Sequence, residues 1–515
     1  MLARDVDLSL TNMTGSTTPI WFTSDAAPAR PALTDHVTTD VCVVGGGIAG
    51  LTVAYTLARA GTRVVVLELD QIASGESGRT TAHLSNELDD RYLALEKAHG
   101  VETSRLAQES HTAAIDRIEQ IVREERIDCD FARLDGYLFL GGDDSEQLLD
   151  DELAAAQRAG LSGATKVPSV PGFASGPALR FPRQARFHVL KYLAGLADAI
   201  ERHGGQIFCE SKVEKIEGGY PAMVTTTSGM TVGADDVVVC TNSPISDMTV
   251  THLKMAPYRS FVIALTVPRG SIPDALYWDT LDAYHYVRLQ PLDDGRDALI
   301  VGGEDFKTAH EDDAGERFTA LEQWARARWP VAGERITQWS GQVMETADYL
   351  ALIGPNPDGA PHVWLATGDS GMGMTHGTIA GILLPTLIKG KQHPWAKIYD
   401  PKRVPLHSTE LFRMAKEGAD VAVQYLDYIT PGQVSDVSDI PAGEGRVLRR
   451  GLQKVAVYRD DSGVVHERSA KCTHLGCIVD WNTAEKSWDC PCHGSRFDAK
   501  GKVVNGPAIA DLAEA

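Results

Sequence analysis

The sequence is short of positive charge and of long apolar runs. Its 515 residues carry 49 Lys and Arg against 70 Asp and Glu, a formal net charge of -21 at pH 7. A surface that binds nucleic acid must be basic, so this balance argues against nucleic-acid binding and against docking on an anionic membrane. It is compatible with cationic substrates or partners, although solubility alone accounts for surplus acid. The longest apolar run, IAGILLPTLI from Ile379 to Ile388, is well under the roughly 20 residues that span a bilayer, so no membrane span is expected. The opening MLARDVDLSLTNMTGSTTPIWF has no basic region followed by an apolar one; no secretory leader is expected, a cytoplasmic location is, and Met13 is an alternative start. Internal repeats are absent. Cysteine is scarce too. Of eight, Cys42, Cys129, Cys209 and Cys240 are scattered and read as small buried hydrophobes. The other four lie together near the C-terminus.

What is present begins with TTDVCVVGGGIAGLTVAYTLARAGTRVVVLELD, Thr38 to Asp70. Val41 to Val44 is an apolar run of strand type. Gly45, Gly47 and Gly50 follow as G-x-G-x-x-G, a helical pattern runs to Gly61, and RVVVLE reads as a second buried strand ending at Glu68. This is a complete βαβ dinucleotide unit. The first glycine permits the tight turn, the second lets a diphosphate approach the backbone, and the third lets helix and strand pack closely. The diphosphate would sit on the helix N-terminus, where free amides and the dipole favour an anion. Glu68, 18 residues after Gly50, stands where a carboxylate would accept hydrogen bonds from ribose hydroxyls.

No second G-x-G-x-x-G follows a strand, which counts against a separate nicotinamide site and favours FAD. DDVVVCTNSP (Asp235 to Pro244) is a buried strand breaking into a turn. HVWLATGDSGMGMTHGTIAGILL (His362 to Leu384) is a strand, a glycine-rich turn and a helix, whose N-terminal amides would lie near the isoalloxazine ring. With these motifs, and with GESGRTTAH (Gly75 to His83), KVEKI (Lys212 to Ile216) and DYLALIGPNP (Asp348 to Pro357), residues from about 38 to 400 resemble the flavin oxidoreductases of the D-amino-acid oxidase, glycine oxidase and sarcosine oxidase group, most of all the bacterial subgroup around gamma-glutamylputrescine oxidoreductase. The resemblance implies an FAD-binding Rossmann-like α/β domain with an antiparallel substrate sheet. It implies hydride transfer from the carbon bearing nitrogen to flavin N5, followed by imine hydrolysis. It carries FAD-binding roles onto Gly45, Gly47, Ile48, Ala49, Gly50, Glu68, Thr80, Thr81, Val213 (through its backbone, to adenine), Thr241, Gly371, Met372, Gly373, Met374 and Thr375. Covalent attachment of FAD at His83 is not expected. HVLKYLAGLADAIERHGGQI reads as a helix, and APYRSFVIALTV and DAYHYVRLQPL as substrate-sheet strands. Tyr258, Arg259, His285, Tyr286, Arg288 and His376 are the catalytic candidates, an arginine being the usual grip for a substrate carboxylate.

The C-terminal stretch is KCTHLGCIVDWNTAEKSWDCPCHGSRFD, Lys471 to Asp498. Cys472-x-His474 is followed after fifteen residues by Cys490-x-x-His493. A Cys2His2 zinc site is the competing reading, but zinc fingers place like ligands in pairs. One Cys and one His in each knot suits a Rieske [2Fe–2S] centre, with two thiolates on one iron and two imidazoles on the other. IVDWNTAEKSWD reads as two strand pieces around a turn, which sets the knots side by side. CTHLGC and CPCHGS closely resemble the Rieske proteins of cytochrome bc complexes. That resemblance implies Cys472, His474, Cys490 and His493 as metal ligands and a Cys477–Cys492 disulfide. It also implies a hydroxyl of Ser495 donating to a cluster sulfur, and NGPA (Asn505 to Ala508) covering the cluster. The second donor of that family, a tyrosine two residues on, is here Phe497, so a lower reduction potential is expected.

The expected organisation is an irregular arm over 1–37, the flavin oxidoreductase with interleaved FAD and substrate parts over 38–405, a helix and linker over 406–440, with the helix near Ser408 to Tyr428, and a small all-β Rieske domain over 441–515. A flavin takes two electrons and a cluster carries one. The pairing predicts an FAD-dependent dehydrogenase acting on a C–N bond of a small amine or amino acid, with electrons leaving through the cluster to an external acceptor. The alternatives are an oxidase using dioxygen with a structural or sensing cluster, and a non-catalytic redox sensor or carrier. A Rieske oxygenase is discounted for lack of D-x-x-H-x-x-x-x-H spacing. An NAD(P)H-driven reductase is discounted for lack of a second dinucleotide loop.

Overall fold

The computed structural model describes residues 15–23, 29–245, 249–310, 314–404, 416–418, 421 and 423–515. Much of the expected arm, Met13 included, and most of the expected 408–428 helix lie outside them; Tyr425–Tyr428 is a 3-10 turn.

The second half of the Val37–Val44 strand, from Val41 on, is apolar and buried on both faces, as a central parallel strand must be. It pairs in parallel with Val64–Leu67 on one side and Thr231–Val239 on the other. The sheet runs Leu352–Pro355, Val363–Thr367, Thr231–Val239, Val37–Val44, Val64–Leu67, Gln206–Phe208, and the Val213–Glu217 and Ala222–Thr226 hairpin adjoins Thr231–Val239. The first strand leads through Gly45, at φ +113, into the Ile48–Arg59 helix. Val363–Thr367 leads through a second glycine turn into the Gly373–Ile388 helix. These two helices pack directly on each other. A Cβ on Gly377 would lie 3.0 Å from the Ala49 amide nitrogen, and one on Gly381 would lie 2.3 Å from Thr52 Cγ2. The missing side chains let two helix N-termini, and the two glycine turns before them, converge on one cavity.

The second sheet has nine strands and is built round the long antiparallel strands Met255–Pro268, Arg296–Lys307 and Arg335–Thr346. It is mixed rather than wholly antiparallel, because Leu276–Asp279 runs parallel to Ala132–Phe139. The chain from 444 onward folds into a three-stranded sheet (Glu444–Arg450, Gln453–Arg459, Val465–Ser469) and a four-stranded one (Asp480–Asn482, Ser487–Asp489, Arg496–Asp498, Val503–Asn505). Its core is built from Trp481, Trp488, Phe497 and the four clustered cysteines. Among the described residues no helix is long and apolar enough to cross a membrane.

Candidate active site and iron–sulfur centre

A large cavity lies between the two flavin-domain sheets. Every FAD candidate named above except Gly50 lines it. Gly50 sits beneath the loop, where a Cβ would stand 1.9 Å from the Gly45 carbonyl oxygen, and its role is close packing. Glu68 accepts from the Gly46 amide at 2.5 Å and the Asp70 amide at 3.1 Å. Burial raises its pKa, and those amides oppose the rise. Ser77, which sequence reading missed, accepts from the first helical amide, Ile48, at 3.0 Å. Thr80 is fixed through its carbonyl, which accepts from the Trp21 indole at 2.7 Å. The Thr81 hydroxyl lies 3.0 Å from His83 Nδ1. Paired glycine turns, helix N-termini and a carboxylate at the end of the second strand fit an elongated dinucleotide.

The catalytic candidates divide. Tyr286 and His376 line the cavity. Tyr286 shares a hydrogen bond with Ser260 at 2.6 Å and lies flat on Gly302, whose missing side chain makes room for the ring. His376 has both ring nitrogens committed, Nδ1 to the Asp369 carbonyl at 2.8 Å and Nε2 to His111 Nε2 at 3.2 Å, and burial pushes its pKa down to about 4. It is a neutral packing residue beneath the glycine turn. Tyr258, Arg259, His285 and Arg288 do not line the cavity, so none is placed to touch substrate there. His285 Nδ1 donates to the Asp279 carboxylate at 2.9 Å, and its ring stacks on Trp324. Arg288 is fully buried; it donates to the Ala82 and Phe187 carbonyls at 2.9 and 3.0 Å and covers the Trp21 ring. It staples the stretch that carries Thr80 and Thr81. Strand alternation could not reveal that these faces are turned to protein.

Arg259 is turned to the C-terminal module, in a buried ionic seam. It lies 3.3 Å from Asp489 and 3.9 Å from Glu485. Arg79 meets Glu485 at 2.7 Å, and Arg496 meets Asp489 at 3.1 Å. All five side chains are at most 2 % exposed. Burial works to raise the pKa of Glu485, but Arg79, Arg259 and Arg496 outweigh it and hold the group at about 2. Around the seam, Asn505 donates to Glu76 at 3.0 Å and Gln342 donates to the Gly494 carbonyl at 3.1 Å. The Thr17 hydroxyl, from the N-terminal segment, donates to Glu485 at 2.5 Å.

The two knots stand together at this interface. Cys472 and Cys490 are unbridged, buried neighbours. The Cys490 thiol beside it is the main cause that lowers the Cys472 pKa. The His474 and His493 rings lie 5.0 Å apart. Cys477 and Cys492 form a disulfide with Cα atoms 6.5 Å apart, and their sulfurs lie within 4.8 Å of the Cys490 sulfur. Ser495 lies within hydrogen-bonding reach of Cys472 and accepts from the Ala508 amide at 3.0 Å. The donor set is two thiols and two imidazoles, closed by a loop, which fits a two-iron centre. His252, from the flavin domain and unnoticed in the sequence, packs its ring 4.9 Å from that of His474 and 5.5 Å from that of His493.

Residues 40–385 match the model of the FAD dependent oxidoreductase (DAO) family, and residues 430–515 match the Rieske [2Fe-2S] domain. The chain belongs to the DAO family of FAD-dependent oxidoreductases and carries a C-terminal Rieske domain. Its cofactors are FAD and a [2Fe–2S] cluster. It is 32% identical to YhfW of Bacillus subtilis (strain 168), a protein named for a Rieske 2Fe-2S centre, over 96% of each chain. It is 29% identical to the gamma-glutamylputrescine oxidoreductase of Escherichia coli (strain K12), over 70% of this chain and 85% of that one. The cytochrome b6-f iron-sulfur subunit 2 of Synechocystis matches 13% of this chain and 40% of its own length at 49% identity. Glycine oxidase from Geobacillus kaustophilus shares the fold at TM-score 0.60, with 19% identity over 72% of this chain and 99% of that one.

Proposed function

We propose that this oxidoreductase dehydrogenates a C–N bond of a small amine or amino acid and passes the electrons, one at a time, through its own Rieske cluster to an external acceptor. When bound, FAD supplies two-electron hydride acceptance and the cluster supplies one-electron transfer. Residues 38–405 hold the flavin chemistry, 406–440 connect, and 441–515 hold the cluster. Gly45, Gly47 and the Ile48–Arg59 helix N-terminus would cradle the diphosphate, Glu68 would take the ribose, and the Gly371–Thr375 turn would face the ring. Cys472 and Cys490 would hold one iron, and His474 and His493 the other.

The observation that carries this reading is shared lining: Val503 to Gly506, from the Rieske module, line the same cavity as the two flavin-domain glycine turns. His252 fills the gap on the imidazole side, and the ionic seam holds the modules together. An outlet built against the flavin cavity suits delivery of electrons to the cluster better than delivery to dioxygen.

The test is a dye-linked screen over primary and secondary amines, N-methyl amino acids and gamma-glutamylated amines. Turnover with a one-electron dye, well above turnover with dioxygen alone, is expected for at least one class. Reduction by NADH alone, or full turnover with dioxygen, would overturn it.

A further inference from the structure

Beside the Gly371 turn the cavity wall is strongly acidic. Asp89, Asp305 and Asp369 all line it. Asp89 presses on the turn itself: a Cβ on Gly371 would stand 1.7 Å from Asp89 Oδ2. Asp89 accepts from the Tyr284 hydroxyl. The Tyr284 and Tyr286 rings lie 5.5 Å apart, and Tyr286 reaches Ser260, beside Asp305. Carboxylate, two aromatic rings and a second carboxylate thus form one arc. The Oδ1 of Asp305 is buried and has no hydrogen-bond partner among the described residues. That is a costly arrangement unless a donor arrives.

The charges around the arc do not balance. Asp89, Asp305, Asp369 and Glu345 repel one another, while Arg91 eases Asp89 and Arg317 eases Asp305. Burial pushes the pKa of Asp305 up to about 7 and those of Asp89 and Asp369 to about 6; neighbouring carboxylates add to the rise at Asp305 and Asp369, while the Ser260 hydroxyl opposes it at Asp305 and the Tyr284 hydroxyl at Asp89. A bound cation would relieve the repulsion, and aromatic faces add to its attraction. Arg91 lines the cavity on the Asp89 side and offsets one of the four carboxylates; of the other lining cations, Arg79 is spent on Glu485, and Lys212 adjoins Val213. Arg259 and Arg288, the arginines expected to grip a carboxylate, do not line it.

We propose that Asp89 and Asp305, with the rings of Tyr284 and Tyr286, form a binding subsite for an alkylammonium group. It selects aliphatic amines and diamines and disfavours substrates with a carboxylate on the amine-bearing carbon. This rests on the reading of the protein as a C–N dehydrogenase and narrows its substrate class.

The test measures binding, not turnover. The FAD-loaded, full-length protein is titrated with tetramethylammonium, which has no nitrogen lone pair and so cannot be dehydrogenated to an imine, and separately with acetate, following the flavin visible spectrum and calorimetric heat. Tetramethylammonium is expected to bind and acetate not to. Asp305→Asn should weaken tetramethylammonium about tenfold or more, the loss of one charge-assisted contact, and Asp305→Glu should restore part of it. Asp89→Asn should act likewise; should it lose FAD, the Asp305 pair and the cation–anion comparison carry the test. Acetate binding in preference to the cation, or an Asp305→Asn affinity equal to wild type, would overturn the subsite. Cation binding without reduction by any amine would leave the subsite standing and sink the dehydrogenase reading instead.

Discussion

Phe497 is fully buried in the Rieske core and pairs in register with Trp488. A tyrosine there would add one donor near the cluster, and a donor stabilises the more negative reduced form. Phe497→Tyr is therefore expected to raise the potential by on the order of 50 mV, one hydrogen bond converted for a one-electron couple. A redox titration followed by EPR checks this, and an unchanged or lower potential contradicts it. Glu485 makes a second residue-scale prediction. Its folded pKa of about 2 lies below the ordinary 4.5, so its contribution is fully present above about pH 4.5 and is lost as the pH falls toward 2. Glu485→Gln leaves Arg79 and Arg259 without full compensation and should cost about 3–5 kcal/mol at pH 7. Denaturant unfolding at pH 7 and pH 3 should show a much smaller difference between variant and wild type at the lower pH. Neither the seam nor the acidic arc was legible in the sequence. Arg79, Arg259 and Glu485 are far apart in the chain, and nothing local marks them as partners. The cluster knots were legible because all their donors lie within 22 residues, Cys472 to His493.

At the scale of elements, the fold depends on close approaches that glycine alone allows. Gly381 lets the Gly373–Ile388 helix lie on Thr52 of the Ile48–Arg59 helix. Gly381→Ala should force the pair apart, cost about 1–3 kcal/mol, and lower the FAD retained after gel filtration, since both helix N-termini move. Gly494 follows the His493 knot at φ +75, and a Cβ there would come within 2.6 Å of Gln342 Nε2 and 2.8 Å of Pro257 Cβ. Gly494→Ala should loosen the knot from the flavin domain, visible as faster hydrogen exchange over residues 490–496. The elements around both glycine turns were readable because each combines a buried strand, a glycine run and a helical period. The substrate-sheet strands were readable as strands but not as faces. Alternation marked Arg259, His285 and Arg288 as polar positions on a sheet without telling whether water, substrate or a second module would cover them.

At the scale of the whole molecule, the Rieske module is set into the flavin domain by a buried ionic seam, with the cluster imidazoles against His252 and residues 503–506 in the flavin cavity wall. On the proposed reading, this arrangement makes the cluster the first destination of electrons leaving the flavin. Cys472→Ser should abolish the cluster while leaving substrate able to bleach the flavin, so dye-linked turnover falls and single-turnover flavin reduction persists. The most direct test of the central claim is rapid-freeze EPR with parallel absorbance after anaerobic mixing of the holoenzyme with an amine found by the screen. Flavin bleaching followed by a reduced-cluster signal, rising at a rate fast enough to support turnover, is the predicted result. Flavin bleaching with the cluster remaining oxidised through many turnovers would contradict it.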